Sequence, residues 1–407
     1  MRNVTLGLII GAALLVSGSL SLKATENKMK LWYDKPADEW MKSLPLGNGR
    51  LGVMIYGGIE TETLALNEST MWSGEYDEHQ QRPFGREKLN QVRKLFFENN
   101  LSEGNHVAGN MMAGSPHSVG THLPIGDLKI NFSYPQGEIS DYRHELDLHT
   151  AINTVSYKVG NTEYIRQCIA SNPDDVVAMH IKASRPKAIT IELELKLLRQ
   201  ANVVASGNQL IYTGNAEFEK HGKGGVHFEG RIAVQIKGGT IKAEGKKLYI
   251  EKATEVTLLS DVRTNFKNNT FSGYNYKIKC EKTIELASKK DFKTLKKKHI
   301  EDYSPLFSRV GLSFEHHAKF DHLPNDERWA RVKKGESDPG LDALFFQYAR
   351  YLLIASSRPN SPLPVALQVF FNDNLACHMG WTNDYHLDIN TEQNYWIANV
   401  GNLAECH

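Results

Sequence analysis

Cysteine is scarce in this sequence and widely scattered: Cys168, Cys280, Cys377 and Cys406 are the four in 407 residues. Such spacing excludes a disulfide framework, and a chain this long does not need one to stabilise its core. Two of the four precede histidines, at Cys377-His378 and Cys406-His407. Structural zinc sites bring their ligands in Cys-x2-4-Cys or His-x3-5-His pairs, so adjacent Cys-His gives no reason to expect a metal. An excess of one charge is lacking too: 48 Lys and Arg balance 47 Asp and Glu. A net charge of +1 gives no reason to expect nucleic acid or an anionic membrane as partner. No dinucleotide fingerprint and no Ser-His-Asp order is present. "GNGRLG" at Gly47–Gly52 resembles a phosphate loop only superficially. It lacks the Lys-Ser/Thr ending and feeds a strand, so it reads as a turn, and no cofactor is expected.

Long hydrophobic runs are also rare. The main one, "VTLGLIIGAALLV" from Val4 to Val16, follows Arg2 and is succeeded by a small and polar stretch to Ala24. It is short for a membrane span. A positive start, a short apolar centre and small residues before a cut are the layout of a secretory signal peptide. Residues 1–24 are therefore expected to be removed on export to the periplasm or the medium, leaving no membrane attachment.

Over residues 29–279 the pattern is strand-like. Runs such as "TVSYKVG", "VVAMHIKA", "ITIELELKL" and "RIAVQIKGG" alternate apolar and polar residues and are punctuated by Gly, Asn, Pro and Asp. Many short strands with turn signals predict a large antiparallel β-sandwich. Within it, Leu89, Val92, Leu95 and Phe96 recur at helical spacing and predict a helix over 86–98. The Gly- and Met-rich stretch after it, 103–120, reads as a long loop. Residues 280–337 are Lys-rich and read as a helical linker, the charge run being a solvated face, with a polar, mixed-charge segment from Leu323 to Gly335. At 338 a strong helix start follows. Asp338 can cap and Pro339 suits the first helical position. The helix is apolar nearly all round, with Leu341, Leu344, Phe345, Tyr348, Leu352 and Ala355 on one face, as expected of a buried helix in a large α-domain. Residues 338–407 hold room for two substantial helices, the beginning of such a domain.

Just before the second of these helices lies "HLDINTEQNYW", His386 to Trp396. If the first part is extended, the period of two puts His386, Asp388 and Asn390 on one side, with Leu387 and Ile389 anchored in the core on the other. After Thr391 the period becomes helical, stacking Trp396, Val400 and Leu403. Two readings of the polar groups stand side by side. Asn390 as N-cap and Gln393 three residues on form a capping-box-like pair, with Asp388 near the positive end of the helix dipole. Alternatively, three convergent polar groups beside Trp381 and Trp396 bind a hydroxyl-rich ligand. Inverting glycoside hydrolysis wants a carboxylic acid and a base on opposite faces of a sugar. Asp388 can supply one of them, but nothing in the sequence places Glu392 or Glu405 opposite it.

Four segments together resemble glycoside hydrolase family 95, the inverting α-L-fucosidases and their α-L-galactosidase relatives. They are "LPLGNGRLGVMIYGGIETETLALNESTMWSG" (Leu44–Gly74), "YRHELDLHTAINTVSYKVGNTEYIRQCIASNPDDVVAMHI" (Tyr142–Ile181), "FQYARYLLIASSRPNSPLPVALQ" (Phe346–Gln368) and "YHLDINTEQNYW" (Tyr385–Trp396). The resemblance implies a sandwich, a helical linker and an (α/α)6 barrel cut short early in its course, with a fucosylated glycan as partner. It also implies a substrate-binding role for His386, with Trp381 beside it, and a water-positioning role for Asp388 and Asn390, which match an Asn-x-Asn pair. Asp388 departs from that pair. So do "LQVFFN" at 367–372, where the family tends to "LQGxWN", and "NYWIAN" at 394–399, where it tends to "NYWPAE". The general acid and an assisting carboxylate are expected in barrel residues that this chain lacks, which implies an inactive chain. A non-catalytic carbohydrate-binding or structural remnant is the alternative, as is specificity for α-L-galactose.

Overall fold

The computed structural model describes residues 29–74, 85–112, 120–221, 224–266, 275–314 and 319–407. The expected signal peptide lies outside them. Two antiparallel sheets face each other. The nine-stranded sheet runs β1 (Lys30–Tyr33), β6 (Ile139–Asp147), β7 (Ile152–Val159), β8 (Thr162–Ser171), β9 (Val176–Ala183), β16 (Glu255–Thr264), β13 (His227–Lys237), β12 (Gln209–Asn215) and β11 (Ala201–Ser206). The seven-stranded sheet runs β14 (Thr240–Glu244), β15 (Lys247–Ala253), β10 (Ile189–Leu197), β5 (Gly126–Phe132), β4 (Thr61–Glu68), β3 (Leu51–Ile55) and β2 (Leu44–Gly47). Alternation in the sequence becomes alternation in space. Val155, Tyr157 and Val159 of β7 and Ile189, Ile191 and Leu193 of β10 point into the shared core, while the residues between them face outward. "GNGRLG" is the β2–β3 turn, as expected. Its Gly47 and Gly52 admit the close approach of Ala355 and the Phe370 ring, which a Cβ would meet at 2.5 and 2.0 Å.

Helix α1 (Arg86–Phe97) is inserted between β4 and β5, as its period predicts. The expected loop after it is instead helix α2 (Leu101–Met112), with 113–119 outside the described residues. Two glycines lower its propensity, but packing overrides this: Gly104 lies against the Phe96 ring, where a Cβ would sit at 3.2 Å. The linker forms α3 (Tyr276–Ser288) and α4 (Phe292–Phe307), covering the outer face of the nine-stranded sheet. There Ile284, Ala287, Phe292 and Leu295 join Ile169, Ala178 and Leu259 in a second apolar cluster. Most of the lysines lie on the opposite, solvated face, whereas Lys290 reaches the buried Asp174 and Lys296 donates to Gln167 of β8. The mixed-charge segment contains α5 (Asn325–Lys333).

Asp338 caps α6 (Pro339–Ser356) by accepting from the Leu341 N–H at 3.0 Å, and also holds the buried Arg328 at 2.7 and 2.8 Å. Asp338→Ala removes a cap and leaves a buried guanidinium with the weaker Asp321 contact. A loss of about 2–4 kcal/mol in urea unfolding is expected. The face of α6 expected to be buried is largely so, with Leu344 and Ala355 in the core and Leu341, Tyr348 and Leu352 packed against it, but Phe345 is 73 % exposed, whereas Arg350 is fully buried. Arg350 donates to the carbonyls of Leu306, Phe307 and Gly401 at 3.1, 2.8 and 3.0 Å, tying the end of α4 to the chain after α8 (Asn390–Val400). These carbonyls terminate helices and have no helical partner of their own, which is why a cation is accommodated inside. Between α6 and α8 lies the single-turn α7 (Leu375–His378). All four cysteines are buried and unpaired.

Candidate active site

The segment from 364 to 396 is held by a lattice of hydrogen bonds running both within itself and to the sandwich. Tyr395 Oη accepts from the Val365 N–H at 2.8 Å, and Asn394 Nδ2 donates to the Ala366 carbonyl at 3.2 Å. Tyr385 Oη donates to the Pro364 carbonyl at 3.0 Å, and the Leu367 N–H to the Asp384 carbonyl at 3.0 Å. Asn383 is completely buried. Its Oδ1 accepts from the Gln368 N–H at 2.9 Å, its N–H donates to Thr121 Oγ1 at 2.8 Å, and its carbonyl accepts from the His122 N–H at 2.8 Å. Thus the two catalytic-domain stretches that resemble the family brace one another, and loop 120–125 of the sandwich clamps them.

His122 has a defined tautomer. Its Nε2 faces the Glu68 carbonyl at 2.9 Å and must donate, so Nδ1, 3.4 Å from Asn383 Nδ2, accepts. Burial pushes its pKa down to about 4, with the Glu68 carbonyl opposing, so the ring is neutral at ordinary pH. Trp72 stacks on Tyr385 with centroids 5.3 Å apart and meets His122 edge-on, while its Nε1 donates to the Ser69 carbonyl at 2.9 Å. Sequence reading did not single out Trp72, His122, Asn383 or Asp384. The signal for the first was in view, since "MWSG" closes the Leu44–Gly74 segment. His122 and Asn383 depend on contacts across 250 residues or more, and Asp384 on the local course of the backbone.

His386 lies with Nδ1 2.9 Å from Asp384 Oδ1, an electrostatic contact without a well-formed hydrogen bond. Asp384 Oδ2 accepts from Thr382 Oγ1 at 2.8 Å, so the carboxylate is itself fixed and orients the ring. The expected extended alternation is not formed. Residues 387–389 make a turn, in which the Thr391 N–H donates to the His386 carbonyl at 3.0 Å. Leu387 and Ile389 are therefore not core anchors: they are 71 % and 44 % exposed, because a turn offers them neither a sheet partner nor a shared face. The capping box is absent as well. Ile389 precedes the helix, and Asn390 is already its first residue, with no side-chain cap bond. Asp388 is exposed and Asn390 half-buried. No hydrogen bond joins His386, Asp388 and Asn390 among the described residues. Trp381 is 56 % exposed. Trp396 and Val400, expected to stack with Leu403, are exposed too, and only Leu403 is buried. A cleft of about 920 Å³ opens between the 357–364 loop and α8, lined on its near side by Leu387, Thr391 and Trp396 rather than by His386 or Asp388.

A family model described as the glycosyl hydrolase family 65 N-terminal domain matches residues 31–269, and one described as the glycosyl hydrolase family 95 catalytic domain matches residues 291–407. More than half of the chain is thus a domain of the family 65 N-terminal type, and the part after it matches the catalytic domain of family 95. It is 33 % identical to alpha-L-fucosidase 2 of Arabidopsis thaliana over 93 % of this chain and 47 % of that protein. A probable alpha-fucosidase A of Aspergillus niger is 29 % identical over 92 % of this chain and 48 % of its own length. The chain therefore spans about half the length of these curated relatives. Among solved structures, a putative kojibiose phosphorylase from the human microbiome aligns with a TM-score of 0.49 at 11 % identity, over 84 % of this chain and 45 % of that one.

Proposed function

We propose that this chain is the N-terminal portion of an exported α-L-fucosidase that removes terminal α-L-fucosyl residues from glycans with inversion. The observation that carries the reading is the 33 % identity to an alpha-L-fucosidase over 93 % of the chain. In this reading His386, oriented by Asp384, binds hydroxyls of the sugar. Asn390 and Asp388 hold the attacking water on one face: the amide both donates and accepts, whereas the carboxylate only accepts and can draw the proton from the water. Inversion also needs an acid across the sugar ring to protonate the leaving oxygen. We assign that acid to a later part of an (α/α)6 barrel, since these residues span about half the length of the curated relatives. Trp381, Leu387 and Trp396 stand exposed around the turn, so this chain does not exclude water from the sugar, and we infer that it does not turn over alone.

The expected result is no hydrolysis of 4-nitrophenyl α-L-fucoside by the purified chain, but weak L-fucose binding in a saturation-transfer NMR titration. His386→Ala is expected to weaken that binding about tenfold, the loss of a hydrogen bond worth about 1.4 kcal/mol. Turnover at the rate of a complete hydrolase overturns the inactivity, and binding indifferent to His386→Ala overturns the site. Export predicts a mature chain beginning close to residue 25 when its mass is measured from a secreting host.

A further inference from the structure

A second cleft, of about 710 Å³, opens where three parts of the chain meet: Leu198–Gln200 after β10, the end of β12 with Glu217–Glu219 beyond it, and His378 of α7. Its size falls within the roughly 300–1,000 Å³ of small-molecule sites. Phe218 packs behind its lining and is 4 % exposed. The Phe218 ring lies 5.2 Å from the His378 ring, and the Arg199 guanidinium sits 5.5 Å over it. Two of the Arg199 nitrogens are used locally, Nη2 donating to Asn374 Oδ1 at 2.6 Å and Nη1 to the Leu198 carbonyl at 2.9 Å. Its Nε is buried without a hydrogen-bond partner, and so is Oδ1 of Asn215. A buried donor or acceptor left unmade costs about 1–3 kcal/mol, so an unused donor and an unused acceptor in one cleft call for a ligand that carries both. Sugar hydroxyls do. Glu217 and Glu219 offset the Arg199 charge along the lining, which disfavours an acidic ligand.

A chain of contacts leads from the cleft to the candidate active site. Ser73 Oγ and His221 Nδ1 are 2.8 Å apart, and His221 packs on Phe218 with ring centroids 5.3 Å apart. The neighbouring Trp72 stacks on Tyr385, next to His386 in the chain. We propose that this cleft, built mainly by the sandwich, is a subsite for the neutral oligosaccharide that bears the terminal sugar. The proposal rests on the glycan-hydrolase reading above. The sandwich then recognises what the sugar is attached to, while the His386 face recognises the sugar itself.

The test uses the full chain and two kinds of probe in saturation-transfer NMR: free L-fucose, and neutral fucose-free oligosaccharides of two to nine units that contain galactose. Two variants are compared with the unaltered chain. Arg199→Ala removes the donor. Glu217→Trp fills the cleft from an exposed position and leaves the Asn374 contact intact, which guards against a general folding effect. Both are expected to raise the Kd for the fucose-free oligosaccharides about tenfold or more and to leave L-fucose binding unchanged. Oligosaccharide binding without any L-fucose binding supports the cleft while overturning the His386 reading. Failure of every oligosaccharide to bind the unaltered chain, or an unchanged Kd in both variants, overturns the subsite.

Discussion

Replacing Asp261 with alanine is expected to cost the protein about 3–5 kcal/mol of stability, a large part of the roughly 5–15 kcal/mol typical of a folded domain. Asp261 is wholly buried in β16 and accepts from both Arg50, at 2.5 Å, and Arg263, at 2.8 Å. Arg50 reaches on to Glu68 at 3.3 Å and Asp175 at 2.9 Å, and Arg263 bonds Asp175 at 2.5 Å and Thr283 of α3 at 3.3 Å. Against burial, which acts the other way, the two guanidinium groups hold the Asp175 carboxyl below its ordinary pKa. Two arginines thus share three carboxylates across the β2–β3 turn, the ends of β4 and β16, the β8–β9 turn and the first linker helix. Removing Asp261 leaves both guanidiniums buried beside a single shared carboxylate and Glu68. Urea unfolding followed by circular dichroism gives the measurement. An unfolding free energy within about 0.5 kcal/mol of the unaltered chain contradicts a structural role for the network.

The second large effect is on pH. His122 and His144 are both buried and neutral, and burial pushes their pKa values down to about 4 and about 3, the Arg166 charge adding to the effect on His144. Unfolded, each titrates near 6.5. Between 6.5 and those lower values the unfolded chain binds more protons than the folded one, so stability falls as pH falls, by about 1.4 kcal/mol per pH unit for each histidine. The stability is fully present above 6.5 and is lost progressively to about pH 4 and about pH 3. Thermal unfolding scanned from pH 7.5 to 4 is expected to show this decline, with a shallower slope for His122→Gln and His144→Gln together. An equal slope in that double variant rules the two histidines out as its source. Protonating His122 also breaks its acceptance from Asn383, so the clamp on the candidate active site is expected to loosen first.

Much of the architecture was legible because it rests on short-range pattern. Alternation marked the strands, Asp338-Pro339 marked the start of α6, and the 86–98 spacing marked α1. Residues 101–112 misled because composition argues for a loop there, whereas the pairing of α2 with α1 is a tertiary contact. Phe345 misled because one apolar helix face looks like another until the buried Arg350 fixes the rotation. Around the candidate site, His386 and Asn390 stood out as residue types in a cluster. Asp384, two positions away, did not, because only the backbone turn brings its carboxylate to the ring.

By itself, the sequence determined the order of sandwich, linker and helices and the kinship with family 95, because local periodicity and long matching segments survive without any knowledge of contacts. Only the tertiary structure decided which face each helix buries, that 387–389 turns rather than extends, and that Trp72 and His122 hold the catalytic-domain segment from the sandwich side. The clamp depends on hydrogen bonds and packing between residues hundreds of positions apart, the buried face of α6 on the contacts of Arg350 with chain some fifty positions away, and the turn on a backbone bond that apolar-polar alternation does not encode.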